Sequence, residues 1–141
     1  MKKGVTLVDV GDAHFLSGGG WSVNAGYAQN KKKGKLHRSV MGVGCETVDH
    51  INHDKLDNRR SNLRRATPQT NQFNKRPKLG KSAFKGVTWY PNQGWVARIT
   101  RDRKRRFLGA FPAEELAAKA YDDAARKYFG EYAYVNFKDS L

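Results

Sequence analysis

The chain has 141 residues and carries 27 Lys and Arg against 13 Asp and Glu, a formal charge of +14. That length allows one ordinary domain or two minimal ones, and the charge favours a polyanionic partner bound less tightly as salt rises. A single cysteine, Cys45, excludes an intrachain disulfide and a four-cysteine zinc site. No apolar span, basic amphipathic helix or signal-peptide core is visible, which argues against a membrane partner and is compatible with a reducing cytoplasm. The basic residues are interleaved with 3 Trp, 6 Tyr and 7 Phe, as expected of folded basic surfaces and not of a charged tail.

Residues 1–46 read as short strands between turns. Val5–Val10, Trp21–Ala28 and Leu36–Met41 are the strand-like pieces, and Gly18–Gly20 and Asn30–Gly34 are the turns. The glycine triplet lacks the Lys-Ser/Thr ending of a phosphate loop. Cys45 is expected to be a small packing residue, since no second thiol or basic relay stands beside it. His37 is expected to pack in this lead-in, and His14 has no partner in sequence.

Residues 47–78 predict a strand at Thr47–His50, a polar connection over Asp54–Asn62, a return strand at Leu63–Ala66 and then a helix. Thr67 is the N-cap of that helix and Pro68 its first residue. Asp49, His50, Asn62 and Asn71 put an acid, an imidazole and two carboxamides close together. A divalent cation that assists phosphodiester hydrolysis needs oxygen ligands and a base for water. Asp49 offers an anionic oxygen, His50 a proton acceptor and Asn71 a neutral carbonyl. Asn62 can orient either the imidazole or the substrate phosphate. Arg59, Arg60, Arg64 and Arg65 lie within the same segment, where they can hold phosphates or be merely solvated. Asp54, Asp57 and Asn58 read as turn and loop-holding residues, and His53 as an exposed loop histidine or a phosphate contact.

The run VDHINHDKLDNRRSNLRRATPQTNQFN, Val48 to Asn74, resembles the core of HNH endonucleases in the branch found in homing endonucleases. The words Asp57-Asn58-Arg59-Arg60, Ser61-Asn62-Leu63-Arg64 and Thr67-Pro68 match in order and spacing. In the lead-in, Tyr27 and Leu36-His37-Arg38 recur in that branch. The resemblance implies that Asp49 and Asn71 bind the metal, that His50 is the general base and that Asn62 holds the middle motif position. His53 departs from it, because glycine is usual there. The oxygen donors favour Mg²⁺, or Mn²⁺ in its place, over Zn²⁺.

Pro77–Lys81 breaks the helix, and residues 79–83 read as a linker. Beyond it, Phe84–Tyr90, Trp95–Thr100 and Arg105–Phe111 predict three strands, with turns at Asn92–Gly94 and Arg101–Lys104. Glu114–Phe129 predicts a helix ended by Gly130. Ala117, Ala120, Tyr121, Ala124 and Tyr128 form its apolar face. In the middle strand Trp95, Ala97 and Ile99 share the face that suits this helix, leaving Val96, Arg98 and Thr100 on the other. The third strand is less clean, with an arginine on each side. Trp89 and Trp95 are expected in the core.

Phe84-Lys85-Gly86-Val87, Trp95-Val96-Ala97-Arg98-Ile99, Phe107-Leu108-Gly109-Ala110-Phe111, Ala117–Asp122 and Val135-Asn136-Phe137 follow one another in order and resemble the AP2 DNA-binding domain. That family lays a three-stranded antiparallel sheet in the major groove and backs it with one helix. The resemblance implies a DNA-facing set of Lys85, Thr88, Tyr90, Arg98, Thr100, Arg105 and Phe107. Thr88 and Tyr90 stand where plant members often have arginines, and Arg98 stands near an acidic position. The docking mode therefore carries over and the target sequence does not.

The expected fold class is α+β: a small ββα-metal nuclease domain followed by an AP2-like three-stranded antiparallel sheet on one helix. The expected divisions are a hairpin-rich lead-in at 1–46, the core at 47–78, the linker at 79–83 and the AP2-like domain at 84–141. The expected function is Mg²⁺-dependent DNA cleavage of the homing type, with duplex DNA as partner, in a monomer or transient dimer, one strand cut per binding event. A DNA-binding regulator with a decayed nuclease fold is the alternative, and an RNA-binding or structural protein of a mobile element is a third.

Overall fold

The structure is a computed structural model that describes residues 4–42, 47–77 and 80–138. Cys45 and part of the expected linker, residues 78 and 79, lie outside the described residues. The chain divides into two compact units, Met1–Asn71 and Gln72–Leu141. Both are α+β, built on small antiparallel sheets.

The first unit departs from its expected lead-in at three places. Val5–Val10 is not a strand: Leu7 makes one parallel bridge to Asp57, and Val10–Leu16 is a 3-10 helix. The β-branched Val5 and Val10 have no sheet face to pack on and are 83% and 95% exposed. Trp21–Ala28 is not one strand but the two arms of a hairpin, β1 (Trp21–Asn24) and β2 (Tyr27–Asn30). Ala25 and Gly26 take φ of 49° and 83°, so they form the two-residue loop whose twist matches the arms. Alanine at a left-handed position gives no sequence signal of such a turn.

Leu36–Met41 is a helix, α1, and not a strand. It follows a short third strand, β3 (Gly34–Lys35), that pairs with β2. Leu36, His37 and Val40 are buried at helical spacing, and Gly42 ends the helix at φ 64°. Six residues of mixed polarity fit either element by pattern alone. The deciding signals are the Leu36/Val40 pair one turn apart and the glycine after Met41.

Strands β4 (Thr47–His50) and β5 (Leu63–Ala66) pair antiparallel as expected, with Asp49 opposite Arg64 and His50 opposite Leu63. The helix α2 spans Pro68–Phe73. Thr67 caps it reciprocally with Thr70: the Thr70 N–H donates to Thr67 Oγ1 at 3.1 Å and the Thr67 N–H to Thr70 Oγ1 at 2.8 Å. Leu36, Val40, Ala28, Val48 and Leu63 form the core of this unit, supported by Phe15, Trp21 and Leu56.

The second unit is a sheet in the order β6 (Val87–Tyr90), β7 (Gly94–Arg101), β8 (Lys104–Phe111), covered by α3 (Glu114–Phe129). The ambiguity of the third strand is resolved by a β-bulge. Ala97 pairs with Gly109 but Arg98 with Phe107, so Leu108 is an extra residue. The bulge reverses the alternation, and Leu108 and Phe111, three apart, both reach the helix side. Arg105 and Phe107 stay on the other face.

The buried face of α3 is Ala117, Ala118, Tyr121, Asp122, Ala125 and Phe129, with Ala120, Ala124 and Tyr128 flanking it. Small side chains let the helix lie close to the sheet. Asp122 is the polar exception: its carboxylate accepts hydrogen bonds from the Asn136 N–H, the Asn136 amide and the Phe137 N–H at 2.7–2.9 Å. Asn136 in turn brackets the backbone of Lys85. Gly86, at φ 79°, lies on the Tyr121 ring, where a Cβ would stand 2.0 Å from a ring carbon. Trp89 is not core as expected. It lies edge-on to Trp95 and is 40% exposed.

Candidate active site

Asp49 and His50 occupy the last two positions of β4, and both are buried. Consecutive strand residues point to opposite faces, so the two side chains meet different neighbours. Asp49 meets Arg64, its cross-strand partner, whose guanidinium donates to Oδ2 through Nε at 3.0 Å and a terminal nitrogen at 2.7 Å. His50 meets an aromatic cluster: the His37 ring stands edge-on at 5.0 Å between centroids, and Tyr27 at 6.1 Å. Burial lowers the pKa of His50 below the usual histidine value, opposed by the hydrogen bond to Asn58 and the charge of Asp49. His37 is driven down to about 3, mainly by burial. Burial thus favours the neutral form of both rings.

The imidazole Nε2 lies 3.2 Å from Asn58 Oδ1. Asn62 makes no contact of this kind. Its Oδ1 accepts the Asn52 N–H at 2.9 Å and its amide donates to the Asp57 carbonyl at 2.8 Å, while its own carbonyl accepts the Ile51 N–H. Asn62 thus clamps the two ends of the β4–β5 connection, and the contact to the ring comes from Asn58. From sequence, Asn58 is expected to hold the loop in preference to touching the metal, and a contact to the imidazole is not expected. His53 takes φ 66° in this connection, a left-handed backbone that glycine adopts at less steric cost than histidine.

Asn71 lies on α2, with its N–H bonded to the Thr67 carbonyl. It is half-buried, and among the described residues its carboxamide has no hydrogen bond. Asp49 and Asn71 offer one carboxylate and one carboxamide, with no cluster of three His, Cys, Asp or Glu among the described residues. A hard divalent cation that keeps several waters fits such an oxygen set, and a structural zinc does not. The Arg64 guanidinium on Asp49 shows that this carboxylate is already matched to positive charge.

The four arginines expected on phosphates are mostly committed within the unit. Arg59 forms a two-point pair with Asp57, and Arg60 another with Asp12. Arg59 holds the Asp57 carboxyl down at about 2. Arg64 is held by Asp49, and Arg65 is exposed. A different basic surface stands next to His50. Lys35 and Lys55 each place an ammonium 4.4 Å from the centre of the Tyr27 ring, and neither has a carboxylate partner among the described residues. Lys35 also lines a groove of about 670 Å³ with Arg38, Lys33, Gln29 and Ser39. These cations come from separate elements, and no spacing rule links them.

In the second unit Thr88, Tyr90, Arg98, Thr100, Arg105 and Phe107 share the sheet face turned away from α3. Arg98 is braced by Tyr90: its guanidinium donates to the Tyr90 hydroxyl at 2.6 Å and lies 4.9 Å from the ring centre. Phe107 is 59% exposed in the middle of this polar face, beside Arg98. Thr88 and Arg105 border a groove of about 430 Å³ with Arg76 and Lys81. Lys85 is the exception to the expected set. Its ammonium donates to the carbonyls of Phe73 and Lys75, both at 2.7 Å, and burial lowers its pKa to about 8. It ties the start of the unit together and does not point out from the sheet.

Residues 44–73 match the family model described as HNH endonuclease. That segment is similar to the core of HNH endonucleases. The chain is 37% identical over 121 residues to an uncharacterised HNH endonuclease of Acanthamoeba polyphaga mimivirus, covering 79% of this chain and 63% of the viral protein. Its C-terminal part is similar to plant proteins. It is 44% identical over 64 residues to an AP2/ERF and B3 domain-containing transcription repressor of Arabidopsis thaliana, covering 45% of this chain and 18% of that protein. It is 50% identical over 56 residues to an AP2/ERF and B3 domain-containing protein of Oryza sativa subsp. japonica, covering 40% and 15%. The chain therefore spans less than two thirds of these relatives. The HNH segment coincides with β4, the connection, β5 and α2, and the AP2-like sheet and helix are those of the second unit. No helix among the described residues is long and apolar enough to cross a membrane.

Proposed function

We propose that this chain is a metal-dependent DNA endonuclease of the homing type, in which the HNH unit cuts one strand and the AP2-like unit holds the duplex. The observation that carries the reading is His50, buried beside Asp49 on β4, with an Asn71 carboxamide that has no hydrogen bond among the described residues on the helix that follows β5. Asp49 and Asn71 are the residues to hold the cation, Mg²⁺ or Mn²⁺. The bound cation would supply charge neutralisation at the scissile phosphate and its leaving oxygen. His50 accepts the proton of the attacking water. Burial beside the rings of Tyr27 and His37 favours the neutral form that can do so. Asn62 acts by keeping the connection in shape. Lys35, Lys55 and Arg38 are the cations for flanking phosphates on this unit, and Arg98, Arg105 and Phe107 the groove contacts on the other.

The second reading, a non-catalytic DNA binder, has one observation in its favour: Arg64 already satisfies Asp49. A supercoiled-plasmid assay separates the two. The nuclease reading expects Mg²⁺-dependent nicking that stops with chelator and in His50→Ala, while His50→Ala still binds the duplex. Duplex binding by the wild type with no cleavage under Mg²⁺ or Mn²⁺ would favour the binder.

A further inference from the structure

Asn58 is fully buried, with 0% of its surface exposed, in the connection between β4 and β5. Its amide nitrogen lies 2.9 Å from Thr6 Oγ1 and 3.3 Å from the Leu56 carbonyl oxygen. The Thr6 hydroxyl donates to that same carbonyl at 2.8 Å. A main-chain carbonyl carries no proton, so only the NH₂ end of Asn58 can face it. The Thr6 hydroxyl spends its one proton on Leu56, so it too must accept from Asn58. The carboxamide oxygen is thereby forced towards His50, 3.2 Å from Nε2. An oxygen acceptor at that distance requires a proton on Nε2. In a neutral imidazole the lone pair then sits on Nδ1.

We propose that Asn58, itself held by Thr6 and Leu56, is a positioning residue that fixes His50 as the Nε2–H tautomer, so that Nδ1 is the nitrogen that accepts the proton. The proposal rests on the reading of His50 as the base. In that step Nδ1 takes a proton from water, the resulting hydroxide oxygen forms the new bond to phosphorus, and the bond from phosphorus to the leaving oxygen breaks. Turning the ring over would put a carbon against Asn58 Oδ1 and leave a buried acceptor unpaired. The N-terminal segment thereby acts on the site at a separation of 52 residues, through Thr6. The ring contacts to His37 and Tyr27 are aromatic and do not themselves select a tautomer.

The test is long-range ¹H–¹⁵N correlation on the full chain labelled at histidine nitrogens, paired with single-turnover cleavage at saturating duplex and Mg²⁺. Wild-type His50 is expected as Nε2–H. Asn58→Leu is expected to give a tautomer mixture and a cleavage rate 10- to 100-fold lower, with duplex affinity unchanged. Thr6→Val, which leaves Asn58 in place but removes its brace, should shift the same signals less and slow cleavage a few-fold. A wild-type His50 found as Nδ1–H overturns the proposal whether or not the variants fold. So does a folded Asn58→Leu that keeps both tautomer and rate. A wild type that shows Nε2–H but cuts nothing leaves the orientation standing and removes the nuclease reading instead.

Discussion

The two units fill their interiors in opposite ways. Among the described residues, the first unit buries Asp12, Asn30, His37, Asp49, His50, Asp57, Asn58 and Asn62 around only five apolar residues, Ala28, Leu36, Val40, Val48 and Leu63. The second buries nine apolar residues from Val87 to Phe129 and only Asn74, Ser82 and Asp122 as polar ones. Buried polar groups cost stability unless each finds a partner, so the first unit is held by directional bonds whose loss is local and specific. The second is held by close packing, where added volume does the damage. The difference extends to charge. The first unit pairs Arg59, Arg60 and Arg64 with aspartates, whereas Arg105 and the exposed Phe107 of the second stand on an open sheet face. The proposed division of labour suits this contrast, since chemistry calls for a fixed polar interior and surface binding for a rigid support.

The contrast breaks most sharply at Gly86. Gly86→Ala drives a Cβ into the Tyr121 ring and to 2.7 Å from the Arg98 carbonyl, at a φ of 79°. A cost of about 3 kcal/mol or more is expected. Two-probe urea unfolding should show the second unit lost first while the first unit's transition stays in place. The polar counterpart is Asn62→Ala, which strands the Asn52 N–H and the Asp57 carbonyl at a cost of roughly 2 kcal/mol. Amide exchange should then quicken in the β4–β5 connection and not in β6–β8.

How much of this was legible in sequence follows the same division. Helix α3 was readable to its ends, because small apolar residues at helical spacing and a closing glycine report packing directly. Its buried face came out rotated towards Ala118, Asp122 and Ala125. The reason is that Asp122 is covered by the later residues Asn136 and Phe137, which a helical wheel does not contain. In the first unit the order of Asp49, His50, Asn62 and Asn71 was readable, whereas the partners were not. Asn58 reaches Thr6 52 positions away, and Arg60 reaches Asp12 48 positions away. Pairings across such gaps leave no local pattern. Lys85 reads as one more cation in a basic chain until its two carbonyl acceptors are seen.

Two smaller effects sharpen the comparison. Lys35→Gln with Lys55→Gln removes the two ammoniums on Tyr27 without touching either core. The salt dependence of duplex binding should flatten by about 0.9 for each phosphate left unneutralised, so by roughly two in the log–log slope. An unchanged slope would mean that the first unit's lysines do not meet the backbone. The other effect is on pH. His37 has a folded pKa of about 3, below its ordinary 6.5. Its contribution is intact above pH 6.5 and is lost as pH falls towards 3, because the unfolded chain takes the proton first. Chemical denaturation at pH 7 and pH 5 should show the first unit weakening by no more than about 1.4 kcal/mol per pH unit, and His37→Phe should lessen that dependence.

The proposed division of labour depends on a cation held by the strand carboxylate of Asp49 and the helix carboxamide of Asn71. Mn²⁺ titration of the His50→Ala chain on duplex DNA, followed by electron paramagnetic resonance, examines this without cleavage. One bound ion is expected in His50→Ala, lost when either Asp49→Ala or Asn71→Ala is added, with duplex affinity retained. One ion still bound in both double variants would contradict the account.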